Sequence, residues 1–96
     1  METRYEEEVF LEIENFDVDA KATYYLVFDY NAGGYDEPSG HYLESLELDD
    51  FDYEGFTKDG NFLELSAEQR NLVEKKLEEH GKTHEDEIFE NALEQM

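Results

Sequence analysis

Through much of the first half of the chain, apolar residues recur at every second position, and this period constrains the fold more than any other feature. In "EEEVFLEIENF" (residues 6–16), Val9, Leu11 and Ile13 alternate with Glu8, Glu12 and Glu14, with Phe10 on the outer side. A period of two sends successive side chains to opposite faces of an extended strand. "DVDAK" (17–21) reads as a turn, and "ATYYLVFDYN" (22–31) then places Ala22, Tyr24, Leu26, Phe28 and Tyr30 on one face. The other face of that segment carries Thr23, Tyr25 and Val27, the pattern of a central strand covered on both sides.

The loop "NAGGYDEPSGH" (31–41) holds three of the six glycines and the only proline. "YLESLELDDF" (42–51) resumes the extended pattern, with Leu46 and Leu48 on one face. "DYEGF" (52–56) reads as a short fourth strand and "KDGN" (58–61) as a further turn. The period changes at Ser66. "SAEQ" is a capping box, in which Ser66 accepts from the Gln69 backbone N–H and Gln69 reaches back. Leu65, Gln69, Leu72, Val73, Lys76 and Leu77 then share a helical face, with Gly81 as the stop after His80. Thr83 is placed to cap a second helix whose first turn is acidic (Glu85, Asp86, Glu87) and whose apolar stripe is Ile88, Phe89, Ala92, Leu93 and Met96.

The expected fold class is therefore α+β: an antiparallel sheet of three to four strands followed by two C-terminal helices packed on one face. Residues 1–96 form one domain, strand-rich over 5–57 and helical over 66–96, with a length sufficient for a single core. There is no cysteine, which excludes a disulfide framework and a Cys-based zinc site. "METRYEEEVF" lacks the basic n-region and small-residue cleavage site of a signal peptide. The longest apolar run, "YYLVF", falls far short of the roughly 20 residues of a membrane helix. The expectation is a soluble protein of the cytoplasm that does not enter a membrane.

Charge narrows function. The formal net charge is −21. A globular chain of this length is expected to have a radius of gyration of about 12–13 Å, hence a diameter of roughly 32 Å. A duplex of that length carries about 19 phosphate charges. Such a surface excludes direct binding of nucleic acid or anionic membrane and favours capture of basic partners. The candidate contact residues are Glu8, Glu12 and Glu14 in one row and Glu44, Glu47 and Asp49 in another, joined by Asp50, Asp52, Glu54 and Asp59. Same-face residues on a strand are about 6.6 Å apart, so several elements must combine to approach the charge density of DNA. Arg70, Lys75 and Lys76 lie together on the first helix, whereas only Lys58 interrupts residues 44–64. Carboxylates are thereby segregated from bases.

Other chemistries fit less well. Asp50, Asp52, Glu54 and Gly55 take positions one, three, five and six of a calcium loop. The twelfth position, which should be a bidentate Glu, is Asn61, and a strand-like segment precedes the loop where a helix is required. His80 and His84 have the spacing of a metal pair, but a helix stop at Gly81 separates them; His41 stands alone. No carboxylate pair, serine context or glycine-rich phosphate loop marks a catalytic site, so no enzyme and no cofactor is expected.

Small, folded, strongly acidic, cysteine-free chains of this kind resemble phage-encoded anti-defence proteins, the anti-restriction and anti-CRISPR proteins that act as DNA mimics. The segment "YLESLELDDFDYEG…FLELSAEQRNLVEKKLEE", about the last half of the chain, is similar to small phage proteins with a sheet followed by an acidic helix. The resemblance is carried by pattern and composition. It implies a stoichiometric inhibitor of a basic nucleic-acid-binding protein, such as a host nuclease or defence complex, acting in the host cytoplasm. A divergent calcium-binding structural module, or an acidic phage accessory or structural protein without DNA mimicry, are the alternatives, as is acidity acquired by halophilic adaptation. Self-association into a homodimer is a further alternative.

Overall fold

The computed structural model describes residues 1–33 and 40–95, so residues 34–39 of the glycine-rich loop, and Met96 of the second helix stripe, lie outside the described residues. Four antiparallel strands, β1 (Glu2–Ile13), β2 (Phe16–Asn31), β3 (Gly40–Phe56) and β4 (Phe62–Leu63), lie in the order β1-β2-β3-β4. Two helices follow, α1 (Ala67–Thr83) and α2 (Glu85–Glu94). This is the expected α+β architecture, a meander with its helices on one side.

The alternation starts in β1 and runs unbroken through β2, which moves the first turn. "DVDAK" is not a turn. Ile13 pairs with Phe16 across Glu14 and Asn15, and Asp17, Asp19 and Lys21 are ladder residues of β2. Between them Val18 and Ala20 are buried, so the segment's polar composition marks one face of a strand and no chain reversal. "DYEGF" likewise completes β3, and the fourth strand is the shorter Phe62–Leu63 beyond the "KDGN" turn. In that turn the Thr57 N–H donates to Asn61 O at 2.8 Å and Gly60, with φ of 88°, donates to Thr57 O at 2.9 Å.

One row of β2 (Phe16, Val18, Ala20, Ala22, Tyr24, Leu26, Phe28) is wholly buried beneath Val73 and Leu77 of α1 and Ile88 and Ala92 of α2. Among the described residues no layer covers the second row of β2: Thr23, Tyr25 and Val27 are half-buried, contrary to a strand covered on both sides. Among the described residues there is one helical layer, and it packs on one face.

Helix α1 opens with the expected capping box, Gln69 N–H to Ser66 Oγ at 3.2 Å and Ser66 N–H to Gln69 Oε1 at 2.9 Å. It does not stop at Gly81. A Cβ there would sit 2.6 Å from Tyr24 Cε1 and 3.1 Å from Leu46 Cδ2, so this glycine lets the helix press against the sheet and is buried inside α1. The Tyr24 hydroxyl donates to Leu77 O at 2.8 Å across the same contact. The joint falls at His84, which caps α2 without a side-chain hydrogen bond in place of Thr83. Backbone bonds from His84 N to His80 O and from Ile88 N to His84 O carry the ladder through it.

The molecule is also longer than a sphere of its mass. The radius of gyration is 16.5 Å and the extents are 58 × 20 × 19 Å. Sixteen residues of β2 at about 3.3 Å each account for about 53 Å of this length. The charge of −21 is thereby spread along 58 Å, where a duplex carries about 34 phosphates. The mean linear charge is roughly six-tenths that of DNA, so its distribution matters more than its total.

Candidate acidic interaction surface

The strand register decides which carboxylates share a surface. Antiparallel partners point to the same face, so the row of β2 left open by the helices extends sideways onto both neighbours. Glu6, Glu8 and Glu12 of β1 lie opposite Thr23, Lys21 and Asp17. Asp50, Asp52 and Glu54 of β3 lie opposite Thr23, Lys21 and Asp19. The result is two carboxylate rows flanking β2, about 9.6 Å apart at two strand spacings, with about 6.6 Å between same-face residues along each row. Near their middle a cleft of about 300 Å³ is bounded by Glu8, Asp19, Lys21, Asp52 and Glu54.

Of the residues singled out from sequence, Glu8, Glu12, Glu47, Asp50, Asp52 and Glu54 come together on this open face. Asp49 is the extra residue of a bulge opposite Thr23 and Tyr24, and its carboxylate reaches Arg4 Nε on the open face at 3.0 Å. Glu44 is the extra residue of a second bulge, opposite Val27 and Phe28. Glu14 sits in the β1–β2 turn and Asp59 in the β3–β4 turn, both exposed and outside the rows. Sequence reasoning missed Glu2, Glu6, Asp17 and Asp19, which the register puts on the same face. The signal for the two aspartates was present in their alternation with Val18 and Ala20.

Two cross-strand pairs on this face set like charges against each other. Glu12 lies directly opposite Asp17, and Asp19 directly opposite Glu54, and like charges in that position are destabilising. The bases that intrude are few: Arg4 and Lys21 lie on the face, and Lys58 reaches Asp17 Oδ1 at 2.6 Å from the rim. Arg4 lies with Cζ 5.1 Å from the centre of the Tyr25 ring, and its hydrogen bond to Asp49 holds its pKa above the ordinary arginine value. The Tyr25 hydroxyl donates to Glu2, which raises its pKa.

The helices differ from this face and from each other. Helix α1 carries Glu68, Glu74, Glu78 and Glu79 against Arg70, Lys75, Lys76 and Lys82, and is balanced. Helix α2 carries five acids and no lysine or arginine, so the helical side as a whole is less balanced than its first helix.

The calcium-loop pattern is not a loop. Asp50, Asp52 and Glu54 point from an extended strand at spacings of about 6.6 Å, which do not converge on one ion. Gly55 is buried where a Cβ would lie 2.7 Å from Leu63 O and 2.7 Å from Leu65 Cδ2, so its small size admits the crossing chain rather than a tight calcium turn. His80, in the last turn of α1, and His84, at the joint that follows it, stack at 4.2 Å between ring centres. His80 Nε2 lies 3.2 Å from Glu7 Oε2, and His84 Nδ1 lies 3.0 Å from His80 O. Among the described residues, no group of three or more His, Asp or Glu side chains is arranged to hold a metal ion, and no helix is long and apolar enough to cross a membrane. His41 packs edge-on to Phe28 at 5.7 Å and beside Tyr30 at 5.1 Å, which gives it an aromatic packing role. No protein-family model, curated protein or solved structure matches the chain.

Proposed function

We propose that the chain is a stoichiometric binding protein that occupies the basic nucleic-acid-binding surface of another protein, such as a nuclease, through the open face of its sheet. One observation carries this reading: two parallel carboxylate rows on a rigid three-stranded platform, with like charges held directly opposite one another. Their separation of about 9.6 Å falls between the minor and major groove widths of B-DNA, about 6 and 12 Å. Proteins that bind DNA do so largely by placing Lys and Arg against phosphates, and a preformed double row of anions presents such a protein with a comparable field. The ladder fixes the backbone from which these carboxylates project, so the ordering cost of the contact falls on side chains alone.

The test is displacement of a labelled DNA duplex from sequence-nonspecific nucleases and DNA-binding domains, read by fluorescence anisotropy. The chain should displace the duplex at low salt and lose affinity steeply between about 50 and about 200 mM salt. Replacing Glu8, Asp19, Asp52 and Glu54 together by Lys should abolish displacement, whereas replacing Glu85, Asp86, Glu87 and Glu90 of α2 should weaken it modestly. Equal loss from both quadruple variants would show that bulk charge, and not the open face, is responsible. Failure to displace duplex from any of these proteins would reject the reading.

A further inference from the structure

The open face holds large aromatic residues among its acids, and three of them, Phe10, Phe56 and Phe62, lie toward the end that carries the β1–β2 turn. Phe10 is 60 % exposed and lies opposite Asp19 with Glu8 and Glu12 on either side along its own strand. Phe56 is opposite Asp17, and Phe62, 73 % exposed, is opposite Phe56 on the next strand. The core does not require Phe10, which faces away from every buried residue. Its ring nevertheless has carboxylates on three sides, with Cβ separations of about 5 Å across the strands and about 6.6 Å along the strand.

The same face already shows what such a frame accommodates. Arg4 lies over the Tyr25 ring at 5.1 Å while its Nε donates to Asp49 at 3.0 Å, and Tyr25 is itself tied to Glu2. A guanidinium suits this arrangement because it is planar and weakly hydrated, stacks on rings, and keeps its N–H donors free at its edge for carboxylates. An ammonium is compact and strongly hydrated and can satisfy ring and carboxylates together less well.

We propose that Phe10, framed by Glu8, Glu12 and Asp19, is a docking point for an arginine side chain of the basic partner, so that the surface prefers arginine over lysine. This rests on the proposed function and specifies the partner's chemistry at one end of the face. A second copy of this chain is the poorer occupant, because it would bring two faces of one sign together in a molecule of charge −21. The exposed ring between carboxylates is the complement of a cation with an apolar face.

An arginine octapeptide and a lysine octapeptide, equal in charge, are the probes, with affinity measured by calorimetry at physiological salt. The arginine peptide should bind more tightly. Phe10→Ala and Phe10→Leu should each weaken it about two- to fivefold and leave the lysine peptide unchanged, while circular dichroism confirms the fold. Phe62→Ala, which removes a still more exposed ring without such a frame, should leave the preference intact. If both peptides bind equally and binding is lost on charge reversal of Glu8, Asp19, Asp52 and Glu54, the arginine site is rejected and the electrostatic surface stands. If neither peptide binds, both readings are rejected. A preference that survives Phe10→Leu, or that Phe62→Ala removes as fully, would assign the effect to apolar adhesion and overturn the arginine site.

Discussion

Along β2, Phe16, Val18, Ala20, Ala22, Tyr24, Leu26 and Phe28 are buried, while Asp17, Asp19, Lys21, Thr23, Tyr25 and Val27 between them reach solvent to varying degrees. Both rows hang from one backbone and share its two ladders of hydrogen bonds, so they differ only in what lies above them. The covered row excludes water and carries the hydrophobic stabilisation. The open row is free to hold charges that oppose folding, because the covered row outweighs them. A rigid sheet faced on one side only is thus a means of holding carboxylates in fixed rows. It also predicts that stability and binding can be altered separately.

Adjacent residues give the largest contrast. Leu26 is fully buried, and Leu26→Ala should destabilise the protein by about 2–5 kcal/mol. Val27, one position along and on the open face, is half-buried, and Val27→Ala should cost less than about 1 kcal/mol. Urea denaturation of the two variants measures this directly. Each 1 kcal/mol corresponds to about 4–8 °C in the melting temperature of a domain this size, so the two should melt far apart. Equal destabilisation would mean that a further layer covers the open face in solution.

A second contrast comes from neighbouring tyrosines and is read through pH. Tyr24 is buried, and burial followed by the nearby Glu7 charge raises its pKa well above the ordinary 10.0. A group whose folded pKa is raised contributes stability that is complete below its unfolded pKa and is lost as pH climbs towards the folded one. Wild-type stability should therefore decline above pH 10. Tyr24→Phe forfeits the bond to Leu77 O and should cost about 1 kcal/mol at neutral pH, yet its curve should converge on wild type in alkali. Tyr25→Phe, on the open face, should leave neutral stability nearly unchanged, because its bond to Glu2 is exposed to water. Parallel alkaline curves for wild type and Tyr24→Phe would show that another group controls the decline.

The same two-sidedness explains what could be read from the sequence. The class of fold, the row Val9, Leu11 and Ile13, and the cap at Ser66 were legible because period and capping chemistry are local. The β1–β2 turn was misplaced because an acidic open-face row has the composition of a loop; only the burial of Val18 and Ala20 distinguishes them. Gly81 misled for a related reason. A glycine that ends a helix and one that lets a helix touch Tyr24 look alike until the sheet is in place. Of the candidate site, the members on β1 and β3 were visible one strand at a time. Their union with Asp17 and Asp19 depends on a register fixed by long-range pairing, which no local pattern contains. The bulges that displace Glu44 and Asp49 from the ladder are equally non-local.

The smallest effects concern the charges themselves, and their signs separate strain from pairing. Asp19 faces Glu54 directly across the ladder, so Asp19→Asn should stabilise the protein slightly, by about 0.2–0.5 kcal/mol at low salt. Asp17 faces Glu12 but also receives Lys58 at 2.6 Å, so the gain from Asp17→Asn is offset by the loss of that ion pair and should be close to zero. Added salt screens repulsion between exposed carboxylates, so it should raise the stability of wild type and shrink the advantage of Asp19→Asn. The measurement is the urea midpoint of the three proteins at low and high ionic strength. If Asp19→Asn proved destabilising at every salt concentration, the aspartate would be making a favourable contact within the sheet, and the open face would not be charged at the expense of the fold.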